Sequence, residues 1–399
     1  MFCNVCHVLN IGFHKRKNYL CSKNNRFLSL KIGDKRWIVV DYSKKMELSG
    51  KMVRFPTVLS PMAGVTDLPF RHLIRELSDN RMGVLVSEFV STDGCDAFSL
   101  KNRKQVVFFE EERPFGIQIF GRNPERMAEA AMAIEELSPD FIEINAGCPV
   151  PKVAGKGGGA GLLKDLPRLR AIIAEVKKSI KLPLTLKCRL GWDEENINVM
   201  ETLAIAEGEG IHWLTVHGRT RVQGYNGFAD WEKIGEVACR ANIPVIGNGD
   251  IVSAKGAMQV MKTYPVAGVA IGRGALHNPW LFSQIASLYN GEELLPIQAK
   301  EAVSAFLRYY ELMLKYGARP ESALGRLKQL AARLCKGISP AYPEFRQDLL
   351  VSQTVEDFFA RAEKFIKSES EGKIFEPERL LNLNGKASET IEFGQQFKR

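Results

Sequence analysis

The sequence predicts an α/β fold: a closed (β/α)₈ barrel of the TIM type followed by an all-helical domain. Two observations carry this prediction. Between residues 56 and 285, eight short β-branched or apolar runs alternate with amphipathic helical patterns, which fits a barrel in size and in order. After Pro296 the strand runs stop, and residues 297–367 read as helix throughout. A doubly wound sheet is the competing arrangement. It would show a G-x-G-x-x-G turn after its first strand, and "SPMAGVTD" is not one.

The strands are expected at 56–60, 84–90, 115–120, 140–145, 183–189, 212–217, 243–247 and 267–272. Helical periodicity is clearest after the first of them. Phe70, Leu73, Ile74 and Leu77 fall at i, i+3, i+4 and i+7, with Thr66 or Asp67 as the cap and Pro69 in the first turn. Four segments follow: a basic N-terminal extension over 1–52, the barrel over 53–296, the helical domain over 297–367 and a loose tail over 368–399.

Charge is unevenly placed. The net charge is +9, and residues 1–52 hold eleven basic and three acidic groups, so nearly all of the excess lies there. The extension reads as a mobile tail, with an RNA-binding arm or a targeting peptide as sharper alternatives. In the helical domain, residues 322–343 contain Arg326, Lys328, Arg333 and Lys336 and no acid, a local basic face suited to phosphate. The eight cysteines are scattered, which predicts a reducing, cytoplasmic setting and no disulfide framework. "CNVCH" at the start of the chain matches C-x-x-C-H, but it lacks the apolar core of an export signal and is read as accidental. No apolar run approaches the ~18 residues of a membrane helix, and no metal site is expected.

In such a barrel the chemistry collects at the C-terminal ends of the strands. Unusual residues fall there repeatedly: Pro61, Met62 and Ala63 after the first strand, Gln118 on the third, Asn145 and Cys148 after the fourth, Lys187 and Arg189 on the fifth. His217 ends the sixth strand, Asn248, Gly249 and Asp250 the seventh, and Gly272 and Arg273 the eighth. Glycines at the last two ends let backbone N–H groups approach an anion, and Arg273 adds charge, so a phosphorylated cofactor is expected. Lys187 would lie over the barrel mouth, where a cation stabilises negative charge on a ring system; pairing with Glu143 is the plainer alternative.

The segments "LSPMAGVTDLPFR", "FGIQIFG", "EINAGCPVPKVAGKGGGAGLL", "LKCRLGWD", "VHGRTRVQGY", "IGNGDI" and "IGRGALHNPWLF" together resemble the tRNA-dihydrouridine synthase family, in that family's order over residues 53–285. The C-terminal "GRLKQLAARL" and "FRQDLLVSQTVEDFFARA" resemble its bacterial C-type branch, whereas "MAGVTDLPFR" looks more like the other bacterial branches. The resemblance implies FMN on the barrel, NADPH as reductant and a uridine of the tRNA D-loop as substrate. It assigns FMN to Pro61, Met62, Ala63, Gln118, Lys187, His217, Asn248, Gly249, Asp250, Gly272 and Arg273. Cys148 becomes the proton donor, and Asn145 and Arg189 face the base. Arg326 and Arg333 are expected on tRNA phosphates, in a monomer. A thiol suits the proton transfer because its ordinary pKa of ~8.5 keeps it protonated at neutral pH yet lets it give up the proton. A flavin barrel oxidoreductase acting on a free pyrimidine, such as dihydroorotate, is the alternative function.

Overall fold

The computed structural model describes residues 45–368, apart from 49, 94–98, 100–102 and 338–341, together with the backbone of three strands nearer the N-terminus. Cys3, Cys6 and the tail beyond Ser368 lie outside the described residues.

Eight parallel strands close the barrel. In chain order they are β6 (Thr57–Leu59), β7 (Val84–Val86), β9 (Phe115–Phe120), β10 (Phe141–Ala146), β11 (Leu184–Arg189), β12 (Leu214–His217), β13 (Val245–Asn248) and β14 (Gly268–Ile271). Each pairs with the next, β14 pairs with β6, and a two-residue strand, β8 (Val90–Ser91), adds onto β9. All eight expected strands are present, most trimmed by one or two residues. Helices on the outer wall are α1 (Leu68–Leu77), α2 (Pro124–Glu135), the single turn α3 (Pro151–Ala154), α4 (Leu166–Ser179), α5 (Val199–Gly208), α6 (Trp231–Arg240), α7 (Ala254–Thr263), α8 (Arg273–His277) and α9 (Leu281–Tyr289). Asp67 caps α1 by accepting from the Phe70 N–H. Between β8 and β9 the described residues include 3₁₀ turns at Lys104–Val106 and Glu110–Glu112.

The period of two along each strand divides the apolar residues into two cores. Ile142, Ile144 and Ala146, with Leu184, Leu186 and Cys188 beside them, face the helices. Val58, Val84, Phe141, Trp213 and Ile246 fill the barrel interior towards its N-terminal end. Met46 and Leu48 join that inner core from a hairpin of β4 (Glu47–Leu48) and β5 (Lys51–Met52). The barrel domain therefore begins before residue 53, because these two apolar side chains plug its floor. Further upstream, β1 (Tyr19–Cys21), β2 (Phe27–Ile32) and β3 (Arg36–Asp41) form an antiparallel sheet where the sequence showed no sustained period.

The helical domain contains α10 (Ala299–Lys315), α11 (Pro320–Leu334), α12 (Tyr342–Val351) and α13 (Val355–Ser368). It docks on the barrel through α1. Arg308 forks onto Glu76 at 2.7 and 2.8 Å, Tyr309 meets the edge of Phe70, and the Tyr316 hydroxyl lies 2.8 Å from His72 Nδ1. Buried apolar residues of α10, α11 and α13 belong to the same core as the barrel wall, so the two domains share one interior.

Candidate active site

Above its apolar floor the barrel interior turns polar. The inward positions of β9, β10 and β11 supply Gln118, Glu143, Asn145, Lys187 and Arg189, and β12 and β13 supply His217 and Asn248. A chain of bonds orders the first three. Gln118 Nε2 donates to Glu143 Oε1 at 2.6 Å, and Gln118 Oε1 accepts from Asn145 Nδ2 at 2.7 Å. Asn145 Oδ1 then accepts the N–H groups of Gly147 and Cys148, each at 2.9 Å. Asn145, expected at the substrate base, thus has its oxygen committed to the turn that carries Cys148.

Cys148 is 7% exposed at the rim. Burial pushes its thiol up, against the pull of Arg189 and Lys187, so it stays protonated at neutral pH. The glycines that follow have a steric cause. A Cβ on Gly159, at φ +53°, would lie 3.0 Å from both Cys148 Cβ and Val153 Cγ1. The loop folds back onto the thiol only because that side chain is missing.

Two buried arginines hold the loop after β12. Arg189 donates to the carbonyls of Gly147, Thr220 and Gly224 at 2.7–2.9 Å. It is a clamp between the Cys148 turn and this loop as much as a group facing a base. Arg219 donates to Asn226 O and Gly227 O and forks onto the Asp250 carboxylate at 2.8 and 2.9 Å. Asp250 also accepts from Ala229 N at 2.7 Å. Its carboxylate is a clasp for the loop, which leaves the backbone of this turn to face a ligand. The clamped loop exposes Tyr225, whose ring carries the Arg273 guanidinium at 4.3 Å and the Arg189 guanidinium at 5.7 Å. Arg219 and Tyr225 were missed by sequence reasoning, although both stand in "VHGRTRVQGY".

The rim after β13 and β14 adjoins the loop after β12 and carries glycine and Arg273. A Cβ at Gly249, at φ +129°, would meet Ala229 Cβ at 2.4 Å, whereas at Gly272 nothing lies nearer than the Met62 sulfur at 3.6 Å. Ser60 Oγ, beside Gly272, is buried without a hydrogen-bond partner among the described residues. Met62 and Pro61 are half-buried and Ala63 exposed along this edge, with the Met62 N–H held by Thr66 Oγ1 at 2.9 Å. The Arg273 guanidinium keeps one weak carboxylate interaction, 3.7 Å from Asp250. Asn248 donates to Ala270 O at 2.6 Å. Burial, with Arg189, Lys187, Arg219 and Arg273 nearby, holds His217 well below the usual range and therefore neutral at pH 7.

Lys187 has no carboxylate within ion-pair distance among the described residues. Burial pushes its ammonium down to about 8 against the pull of Glu143, and burial pushes Glu143 up to about 7 against the pull of Lys187 and the Gln118 bond. An uncommitted cation over the mouth, a guanidinium at the rim, an unpartnered buried hydroxyl and open glycine backbone fit a planar ring with a phosphate tail.

The two helical-domain arginines part company. Arg326 on α11 is ion-paired with Asp67, donates to the Tyr309 hydroxyl at 2.7 Å and lies over that ring. It is a domain-junction residue, not the free phosphate-pairing cation that the acid-free stretch implied, because the acid comes from the N-terminal cap of α1. Arg333, further along α11, is exposed, and its carbonyl lies 3.1 Å from His277 Nδ1 on α8.

The described residues contain no helix long and apolar enough to cross a membrane. Residues 58–371 match the family model described as Dihydrouridine synthase (Dus). The chain is 41% identical over 262 residues to tRNA-dihydrouridine synthase B of Pseudomonas aeruginosa, covering 65% of this chain and 78% of that one. It is 37% identical over 266 residues to a probable tRNA-dihydrouridine synthase of Rhodobacter capsulatus, covering 66% and 81%. A probable tRNA-dihydrouridine synthase 1 of Synechocystis is 33% identical over 318 residues, covering 79% and 88%. The B-type name agrees with the "MAGVTDLPFR" segment rather than with the C-type likeness of the C-terminal motifs. The fold, the polar barrel mouth and these matches lead to one conclusion: this chain belongs to the dihydrouridine synthase family.

Proposed function

We propose that this chain is an FMN-dependent tRNA-dihydrouridine synthase, which reduces the C5–C6 double bond of a D-loop uridine at the expense of NADPH. The observation that carries this is the Cys148 turn, its backbone held by Asn145 at the Cys148 N–H and by Arg189 at the Gly147 carbonyl, at the edge of a cationic barrel mouth. A flavin held there would supply hydride for C6. Cys148 would give its proton to C5 and take one back from solvent, so the base gains one hydride and one proton while NADPH is oxidised to NADP⁺. Lys187 offsets negative charge on the ring, and Arg273 with the Gly249 and Gly272 backbone takes the phosphate. The substrate base must leave its stack to reach this depth. The enzyme acts as a cytoplasmic monomer. Incubating the purified protein with FMN, NADPH and unmodified tRNA, then measuring dihydrouridine by mass spectrometry, tests the reading. Turnover of free dihydroorotate or uracil without turnover of tRNA would overturn it in favour of a small-molecule flavoenzyme.

The charge state of Lys187 gives a pH dependence with a definite sign. An anionic ring beside this lysine favours its charged form. By linkage, flavin affinity is full below about 8 and falls as the lysine deprotonates above it. FMN release followed by fluorescence is expected to increase as the pH rises through about 8 and beyond. Lys187→Arg should flatten that rise, because a guanidinium stays charged throughout. An unchanged rise in the variant would remove Lys187 from the cofactor site.

The helical domain supplies part of the grip on RNA, through Arg333 rather than Arg326. Arg333→Ala is expected to weaken tRNA binding and to lower the slope of log affinity against log salt by up to about one unit. Arg326→Ala should act on folding instead, lowering the melting temperature through loss of the Asp67 pair. Equal salt slopes for wild type and Arg333→Ala would move the RNA-binding role elsewhere.

A further inference from the structure

A second cationic surface lies on the far side of Cys148 from the helical domain. The loops after β9 and β10 enclose a cleft of about 540 Å³, whose lining includes Arg122, Arg126, Lys156 and Arg168. Gly157 and Gly161 also line it. Gly158 lies flat against the Gly121 carbonyl, which a Cβ would approach to 3.4 Å, and Gly157 lies against the Arg122 side chain. The same loop continues to Gly159, which packs on Cys148. The cleft is thus one loop away from the proposed proton donor.

The charges in this cleft do not cancel. Asp165 is committed twice: it caps α4 by accepting from the Arg168 N–H, and it pairs with the Arg168 guanidinium at 3.0 Å. Asn123 is likewise committed to the Arg126 N–H at 2.8 Å. Asp93 is the other carboxylate in the lining. Arg122, Arg126 and Lys156 are exposed, and none has a carboxylate within ion-pair distance among the described residues. Three cations from two separate segments, Arg122 and Arg126 after β9 and Lys156 after β10, line one open cleft, and several charges there suit successive phosphates on a strand.

We propose that this cleft binds the phosphodiester backbone of the tRNA strand that flanks the extruded uridine. The proposal rests on the tRNA-modifying function above. It gives the barrel its own grip on phosphate, so that the strand is held on both sides of Cys148: by Arg122, Arg126 and Lys156 on one side and by the Arg333 face on the other. A base drawn out of its stack needs its backbone fixed on both sides, because phosphate interactions set register while the pocket reads the base.

The test is the triple variant Arg122→Gln, Arg126→Gln, Lys156→Gln in the full chain loaded with FMN. Binding to unmodified tRNA is measured at several salt concentrations, beside NADPH-dependent flavin reduction and thermal melting. We expect tRNA affinity to fall at least about tenfold, with flavin reduction unchanged. The salt slope should fall by up to about one unit for each phosphate-pairing charge removed. Unchanged affinity and slope would overturn the proposal. So would a selective rise in the KM for NADPH, which would give the cleft to the phosphates of the reductant. If the triple variant melts early, Lys156→Glu alone serves, since that side chain is exposed and its reversal should still weaken binding. Wild-type protein that does not bind tRNA would instead refute the function itself, and this is seen before any variant is made.

Discussion

Cys148→Ala is expected to lose most dihydrouridine formation while keeping its flavin and its affinity for tRNA. Loss of a positioned general acid costs ~10²–10⁴ in rate. The structure sharpens this expectation, because the thiol is fixed by backbone as well as by chemistry. Asn145 Oδ1 takes the Cys148 N–H, and Ala160 N donates to the Cys148 carbonyl at 3.1 Å. Alanine keeps both bonds, so the loop keeps its place and only the proton donor disappears. Cys188→Ala is the matched control. Cys188 is the next strand's cysteine, but it faces the helices, and burial pushes its thiol up to about 12. It should alter turnover little. Single-turnover reoxidation of the reduced enzyme by tRNA separates the chemical step from flavin reduction. Wild-type rates in Cys148→Ala would assign the proton to water or to another group.

The parts of this site that were legible in the sequence are those set by local pattern. Lys187 and Arg189 were placed on the fifth strand, and two residues apart they share its inner face, with Lys187 in register with Asn145 of β10. The cap at Asp67 was legible because its partner, the Phe70 N–H, is three residues away. What escaped were roles decided by long-range partners. Arg326 looked free because its own stretch holds no acid, yet the acid that claims it is the cap of α1. Asp250, assigned to the flavin by the family resemblance, has its carboxylate bound by Arg219, thirty-one residues earlier, a partner no local pattern reveals. The boundary at residue 52 failed for a related reason. Met46 and Leu48 are too few to make a periodic signal, and their burial depends on an interior built by Phe141 and Trp213 far along the chain.

The largest stability effect is expected at Arg71, on the same long-range logic. Arg71 and Glu112 are both fully buried, and Arg71 Nε donates to Glu112 Oε1 at 2.6 Å. The guanidinium also donates to Thr66 O at 3.1 Å and to Val107 O at 2.8 Å, while Glu112 Oε2 accepts the Phe109 N–H at 3.0 Å. The pair therefore ties α1 and the loop after β6 to the 3₁₀ turn Glu110–Glu112 that precedes β9. Arg71→Met removes one charge and leaves Glu112 buried without its guanidinium partner, with His72 Nε2 3.6 Å away and Arg75 the remaining guanidinium near it. Breaking a buried pair from one side costs ~3–5 kcal/mol, a large share of the stability of a typical domain. Denaturant unfolding should show that loss. Arg71→Met with Glu112→Gln should recover part of it, since the stranded charge is then gone. The effect reaches the site as well. Thr66 holds the Met62 N–H, so freeing the Thr66 carbonyl loosens the edge that Pro61 and Met62 present beside Gly272. Arg71→Met should accordingly lose FMN at temperatures where the wild type retains it and the variant is still folded. A variant as stable as the wild type would mean that water replaces the guanidinium at Glu112, and that the pair does not organise this side of the barrel.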